Sequence, residues 1–167
     1  MIHCLHGAVG SDHDWDLFTD SFGEKIHPVN LWNLLGKSTL SLPEAGQVIT
    51  LQAKKNDILM GYSMGGRLAL HSLLADPRKW RAAIIVSAHP GLIEGQADRL
   101  IHDEQWATLA EQDWTQFIEK WNQQSILSTS CHGLRQTDSR NQSAVAASFR
   151  HWSLGAQDHL ASRLPEI

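Results

Sequence analysis

The chain has 167 residues, 42% hydrophobic and 19% charged, with a formal net charge of −4, which suits one globular domain with a core and excludes disordered and fibrous classes. No apolar run approaches the ~20 residues that cross a bilayer, and the N-terminus lacks the charged-then-apolar order of a secretory signal, so a soluble, cytoplasmic protein is expected. Fourteen Lys and Arg scattered along the chain argue against a nucleic-acid or membrane surface, so an anionic ligand must be met locally.

In chain order, Met1 to Gly7 is a brief strand-like run stopped by its glycine, followed by a polar loop from which Ser11 or Asp12 can cap a helix through Trp15, Leu17 and Phe18. Ile26 to Trp32 is a second extended stretch. Leu42-Pro43-Glu44-Ala45 puts proline in a first helical turn, with apolar residues recurring at Val48, Ile49 and Leu51. Asp57 to Tyr62 is an apolar strand ending at Ser63, and the run through Arg67 to Leu74 is a helix closed before Asp76-Pro77. Trp80 to Ser87 is apolar throughout, which predicts a parallel sheet covered on both faces. Strands alternating with helices give an α/β doubly wound layout.

After His89-Pro90-Gly91 the texture changes. Residues 96 to 125 are predicted helical, with Trp106, Leu109, Ala110, Trp114, Phe117, Ile118 and Trp121 on one apolar face. Residues 128–143 are predicted as a loop and Ala144 to Trp152 as a last helix. The expected organisation is a core over 1–89, an all-α cap over 90–152 and a return segment over 153–167.

Gly61-Tyr62-Ser63-Met64-Gly65-Gly66 is a G-x-S-x-G pattern between a strand and a helix. The glycines allow a turn tight enough to hold Ser63 strained at a helix N-terminus, where peptide dipoles favour developing negative charge. The Met64 N–H is then one oxyanion donor and the Ala8 N–H, in the His6-Gly7-Ala8 loop, the other. No histidine cluster has metal-ligand spacing, and Cys4 and Cys131 read as reduced thiols, so no metal or other cofactor is expected.

Ser63-Met64-Gly65-Gly66-Arg67, Ser87-Ala88-His89-Pro90-Gly91-Leu92, Arg99 seven residues before Trp106, Trp121 with Gln124, and Ser153-Leu154-Gly155 resemble the α/β-hydrolase superfamily. Within it they are similar to the 2-succinyl-6-hydroxy-2,4-cyclohexadiene-1-carboxylate synthase family of menaquinone biosynthesis. The resemblance implies an α/β-hydrolase-like three-layer sandwich, truncated, with a mostly parallel central sheet in strand order second, first, third, fourth and an inserted helical cap. It implies a substrate with several carboxylates, loss of pyruvate after proton abstraction, and Ser63 in proton transfer within a Ser-His-Asp system. Arg67 and Arg99 are the expected carboxylate-binding cations, with His6, His89 and Trp121 as further substrate contacts and either Arg135 or Arg140 as another cap arginine.

Some positions depart from the family pattern. The family's acid and histidine follow later strands, beyond the Leu164-Pro165-Glu166-Ile167 segment, and an open sheet edge could then carry self-association or a partner. His6 and His89 are the nearest substitutes for the base. Asn30 stands where the family carries an acid, and Asn122 where it carries a tyrosine. The competing expectations are a general carboxylesterase or thioesterase, which buried arginines disfavour, and a catalytically impaired binding protein of the same fold. His71, His102, His132, His151 and His159 are expected at the surface.

Overall fold

The computed structural model describes residues 1–22, 25–35, 39–128 and 137–164. Its centre is a four-stranded parallel sheet of β1 (Ile2–Leu5), β2 (Ile26–Val29), β3 (Asp57–Tyr62) and β4 (Trp80–Val86), in the order β2-β1-β3-β4. This is the second, first, third, fourth order implied by the resemblance. Between the strands lie the short helix α1 (Trp32–Leu35), then α2 (Leu42–Gln52) and α3 (Met64–Ala75). After β4 come α4 (Gln96–Gln112), α5 (Trp114–Asn122), α6 (Ser125–Ser128) and α7 (Gln142–His151).

Local signals account for these boundaries. Ser41 and Glu44 form a reciprocal capping box, with the Ser41 N–H donating to Glu44 Oε2 at 2.8 Å, so α2 begins at Leu42 with Pro43 in its first turn. Asp113 ends α4 and caps α5 by accepting from the Gln116 N–H at 2.9 Å. The extended stretch predicted to Trp32 stops at Val29, because Asn30 Oδ1 accepts from the Trp32 N–H at 3.1 Å and turns the chain into α1. The helix expected after Ser11 is a 3₁₀ segment, Asp12–Phe18.

Period-two alternation divides the sheet between two apolar clusters. Leu5 and Leu59 join one continuous cluster that includes Ile49 of α2 and Leu68 of α3 and extends to Ala107, Phe117, Val145 and Trp152. Ile2, Cys4 and Met60 face a smaller cluster around Trp15. That smaller cover does not reach β4. Ala83 and Ile85 pack against the main cluster, whereas Ile84 and Val86 remain 41% and 42% exposed. The two-sided cover expected for this strand is therefore corrected: among the described residues β4 is an edge strand with one open face.

The helices after β4 are tied to one another and to the rest. Arg150 of α7 reaches both Glu104 and Glu111 of α4, and Trp152 Nε1 donates to the Leu40 carbonyl at 2.9 Å. No helix among the described residues is long and apolar enough to cross a membrane.

Candidate active site

The C-terminal ends of β1, β3 and β4 converge beneath α4, α5 and α7, and a cavity of about 340 Å³ lies between them. Ala8, Ser63 and His89 line it from the strand ends, Arg67 from α3, Arg99 and Asp103 from α4, Trp121 from α5, and Phe149 from α7. Clefts at the carboxyl ends of parallel strands are where open α/β sheets bind ligands.

The serine turn takes its shape from its glycines. Ser63 has φ 53° and ψ −115°, a conformation that L-residues rarely adopt, directly before the first turn of α3. A Cβ on Gly61 would lie 2.5 Å from the Gly65 carbonyl oxygen, and one on Gly65 would lie 2.4 Å from the carbonyl oxygens of both Leu5 and His6. Only glycines allow β3, α3 and the end of β1 to approach this closely. The neighbouring loop lies beside the serine, since a Cβ on Gly7 would sit 3.6 Å from Ser63 Cβ. Ser63 Oγ has no hydrogen-bond partner among the described residues.

The two arginines reach the same cavity in different states. Arg67 is 9% exposed, and its Nη1 donates to Gln157 Oε1 at 3.3 Å. Burial, together with the like charge of Arg99 and against the pull of Asp103, pushes its pKa down to about 10, so it stays a cation near neutral pH. Arg99 Nε donates to Asp103 Oδ1 at 2.8 Å, and Ser153 Oγ donates to Asp103 Oδ2 at 2.7 Å. Trp121 presents an aromatic wall, its ring packed on Trp106 and Phe149 at centroid separations of 5.3 and 5.4 Å.

His6 does not join this group. It is fully buried: its Nδ1–H donates to the Gly7 carbonyl at 2.9 Å, its Nε2 accepts from the Leu31 N–H at 3.1 Å, and its ring packs on Trp32. With both nitrogens bonded within the protein it shapes the Gly7-Ala8 loop and does not line the cavity, so the structure does not bring it to the place its expected substrate role requires. His89 does line the cavity, with Nδ1 accepting from the Gly91 N–H at 3.2 Å. Arg140 is exposed and paired with Asp138, away from the cavity, while Arg135, Cys131 and His132 lie outside the described residues. His71 is buried, not at the surface, and burial lowers its pKa to about 4.

Asp103, Ser153 and Gln157 were not read as site residues from the sequence. The spacing of Arg99 and Asp103, one helical turn apart, was the available signal; nothing local marks Gln157 as a partner of Arg67. Among the described residues no group of three His, Cys, Asp or Glu could hold a metal ion.

No family model matches the chain. The 2-succinyl-6-hydroxy-2,4-cyclohexadiene-1-carboxylate synthase of Pectobacterium atrosepticum is 31% identical over 183 aligned positions, covering 98% of this chain and 72% of that protein. The synthase of the same name from Escherichia coli O1:K1 is 28% identical, covering 96% and 70%. Among solved structures, MenH from S. aureus matches with a TM-score of 0.80 at 19% identity over 99% of this chain and 71% of its own. The naproxen esterase of Bacillus subtilis matches with a TM-score of 0.53 at 15% identity, covering 95% and 54%. These last two are likenesses of fold.

Proposed function

This chain belongs to the 2-succinyl-6-hydroxy-2,4-cyclohexadiene-1-carboxylate synthase family of the α/β-hydrolase fold, and on that premise we propose that its cavity binds a cyclohexene bearing several carboxylates and eliminates pyruvate from it. The observation that carries the reading is the meeting, in one cavity, of a strained serine with two arginines. An esterase for apolar acyl chains would set its acyl group against guanidinium N–H groups that Asp103 and Gln157 leave unpaired, whereas carboxylates pair with them.

Ser63 takes part in proton transfer. A ring proton is abstracted, its electron pair moves into the ring to form the diene, and the C–O bond to the pyruvyl group breaks. The leaving group departs as the enolate of pyruvate and takes up a proton. The N–H groups of Ala8 and Met64, with the N-terminal dipole of α3, stabilise the negative charge that develops. Arg67 and Arg99 hold the carboxylates and Trp121 covers the ring. The ligand is a small anion. A cytoplasmic setting fits the free, buried thiol of Cys4.

The test is pyruvate release by the purified chain from the synthase's substrate, followed with a coupled assay. Ser63→Ala is expected to lower the rate by about two or more orders of magnitude. Absence of pyruvate, with ester turnover that survives Arg67→Ala, overturns the reading in favour of an esterase.

A further inference from the structure

Arg67 and Arg99 enter the cavity from different helices, yet one short stretch of chain holds both. Ser153 and Gln157 flank the 3₁₀ turn Leu154–Ala156, and they are 1% and 4% exposed. Gln157 accepts from Arg67 Nη1 at 3.3 Å and donates through Nε2 to the His89 carbonyl at 3.1 Å. This orientation of the amide satisfies both partners, since a guanidinium can only donate and a carbonyl can only accept. Ser153 donates to Asp103 Oδ2 at 2.7 Å and accepts from the Gly155 N–H at 3.0 Å, while Asp103 Oδ1 holds Arg99 Nε at 2.8 Å.

We propose that Ser153 and Gln157 are positioning residues that set the two guanidiniums as a carboxylate clamp, Gln157 directly and Ser153 through Asp103. The proposal rests on the reading of this cavity as a site for a substrate with several carboxylates.

The chemistry at each end suits that task. Gln157 fixes Arg67 with a neutral amide and so leaves its positive charge for the ligand; a carboxylate in its place would cancel it. Asp103 lines the cavity itself, and a free carboxylate oxygen there would repel an anionic substrate. Arg99 occupies one of its oxygens and Ser153 the other. Because Asp103 takes Arg99 by Nε, the two Nη groups of Arg99 are left without a hydrogen-bond partner among the described residues. That is the edge able to make paired bonds to a carboxylate. The buried carboxylate of Asp103 also offsets the repulsion between two cations that share a small cavity.

The experiment measures binding of 2-succinylbenzoate, an aromatic dicarboxylate carrying the succinyl chain of the family's product, by calorimetry, beside thermal unfolding and the pyruvate assay. Gln157→Glu is the discriminating variant, because a new ion pair with Arg67 would offset, in the unfolding midpoint, the lost bond to the His89 carbonyl while cancelling the free charge. It is expected to weaken binding by about tenfold or more, the scale of one charge-assisted contact. Gln157→Met and Ser153→Ala are expected to raise KM several-fold and leave kcat within about twofold, the pattern of lost uniform binding. Wild-type binding matched by Gln157→Glu and Ser153→Ala overturns the clamp and leaves the functional reading standing. A wild-type chain that neither binds the probe nor releases pyruvate overturns the functional reading, and the clamp with it.

Discussion

The Ser63 N–H donates to the Val86 carbonyl at 2.9 Å, so the strained serine is tied to the end of the neighbouring strand as it leaves its own. This bond and the tight approach of Gly61 to Gly65 hold Ser63 at φ 53°. Such a conformation costs about 1–3 kcal/mol for a residue with a Cβ. Ser63→Gly is therefore expected to raise the unfolding midpoint by a few degrees, the shift that ~1 kcal/mol produces in a domain of this size, while abolishing pyruvate release. Ser63→Ala retains the strain and is expected to lose the activity without the gain. Equal midpoints for the two variants in calorimetry would show that no strain is stored there.

Gly65→Ala tests the contact between the serine turn and β1. In an ordinary helix the change is favourable by about 1 kcal/mol. Here the added methyl would meet two backbone carbonyls at 2.4 Å, and neither can rotate away as a side chain could. The expected result is a loss of about 1–3 kcal/mol in urea unfolding, the range for overpacked positions, together with loss of pyruvate release as Ser63 is displaced. A stabilised, active variant would contradict the packing described.

Much of this arrangement was legible in the residues. The G-x-S-x-G segment, its flanking strand and helix, and Arg67 one turn beyond the serine are local features, and local periodicity and glycine spacing report them. His6 was misjudged because a histidine after a strand looks the same whether its ring faces a cavity or is locked between the Gly7 carbonyl and the Leu31 N–H, and that lock depends on a segment 25 residues away. Gln157 was missed for the same reason, since its partner Arg67 lies 90 positions earlier. The apolar run of β4 reads as a strand covered on both faces, but an edge strand can be equally apolar. What decides its exposure is how far the cover around Trp15 extends across the sheet.

Phe117 links the packing of α4, α5 and α7 to the cavity they line. It is fully buried, and its ring lies within 5.2–6.1 Å of the rings of Trp114, Trp106, Phe149 and Trp121. Phe117→Ala is expected to cost about 3–5 kcal/mol, measured by chemical denaturation. It is also expected to raise KM more than it lowers kcat, because Trp121 loses the ring it stacks on while Ser63 is untouched. A loss confined to kcat would place the aromatic cluster's influence elsewhere.

Acid sensitivity is expected from the opposite end of the sheet, where Asp57 Oδ2 accepts from His3 Nε2 at 2.9 Å and from the Lys54 N–H at 2.8 Å, and Oδ1 accepts from the Met1 amino group at 3.1 Å. Burial alone would raise the Asp57 pKa, but these donors outweigh it and hold the carboxyl at about 2, below the ordinary 3.8. A depressed carboxyl contributes stability that is complete above about 4 and is lost as pH falls from about 4 to about 2. His3 works in the same direction. Burial lowers its pKa, against the hydrogen bond to Asp57 and aided by the nearby His27, so the unfolded chain takes up a proton first and stability begins to fall below about 6.5. Urea midpoints measured from pH 7 to pH 3 should therefore decline in two limbs. Asp57→Asn is expected to lower the midpoint at neutral pH and flatten the limb below pH 4. His3→Phe is expected to make the limb below 6.5 shallower and leave the lower one steep, the remaining slope below 6.5 belonging to His71, whose buried ring also stays neutral in the folded chain down to about 4. Parallel profiles for both variants and the wild type would show that this cluster does not govern the acid response.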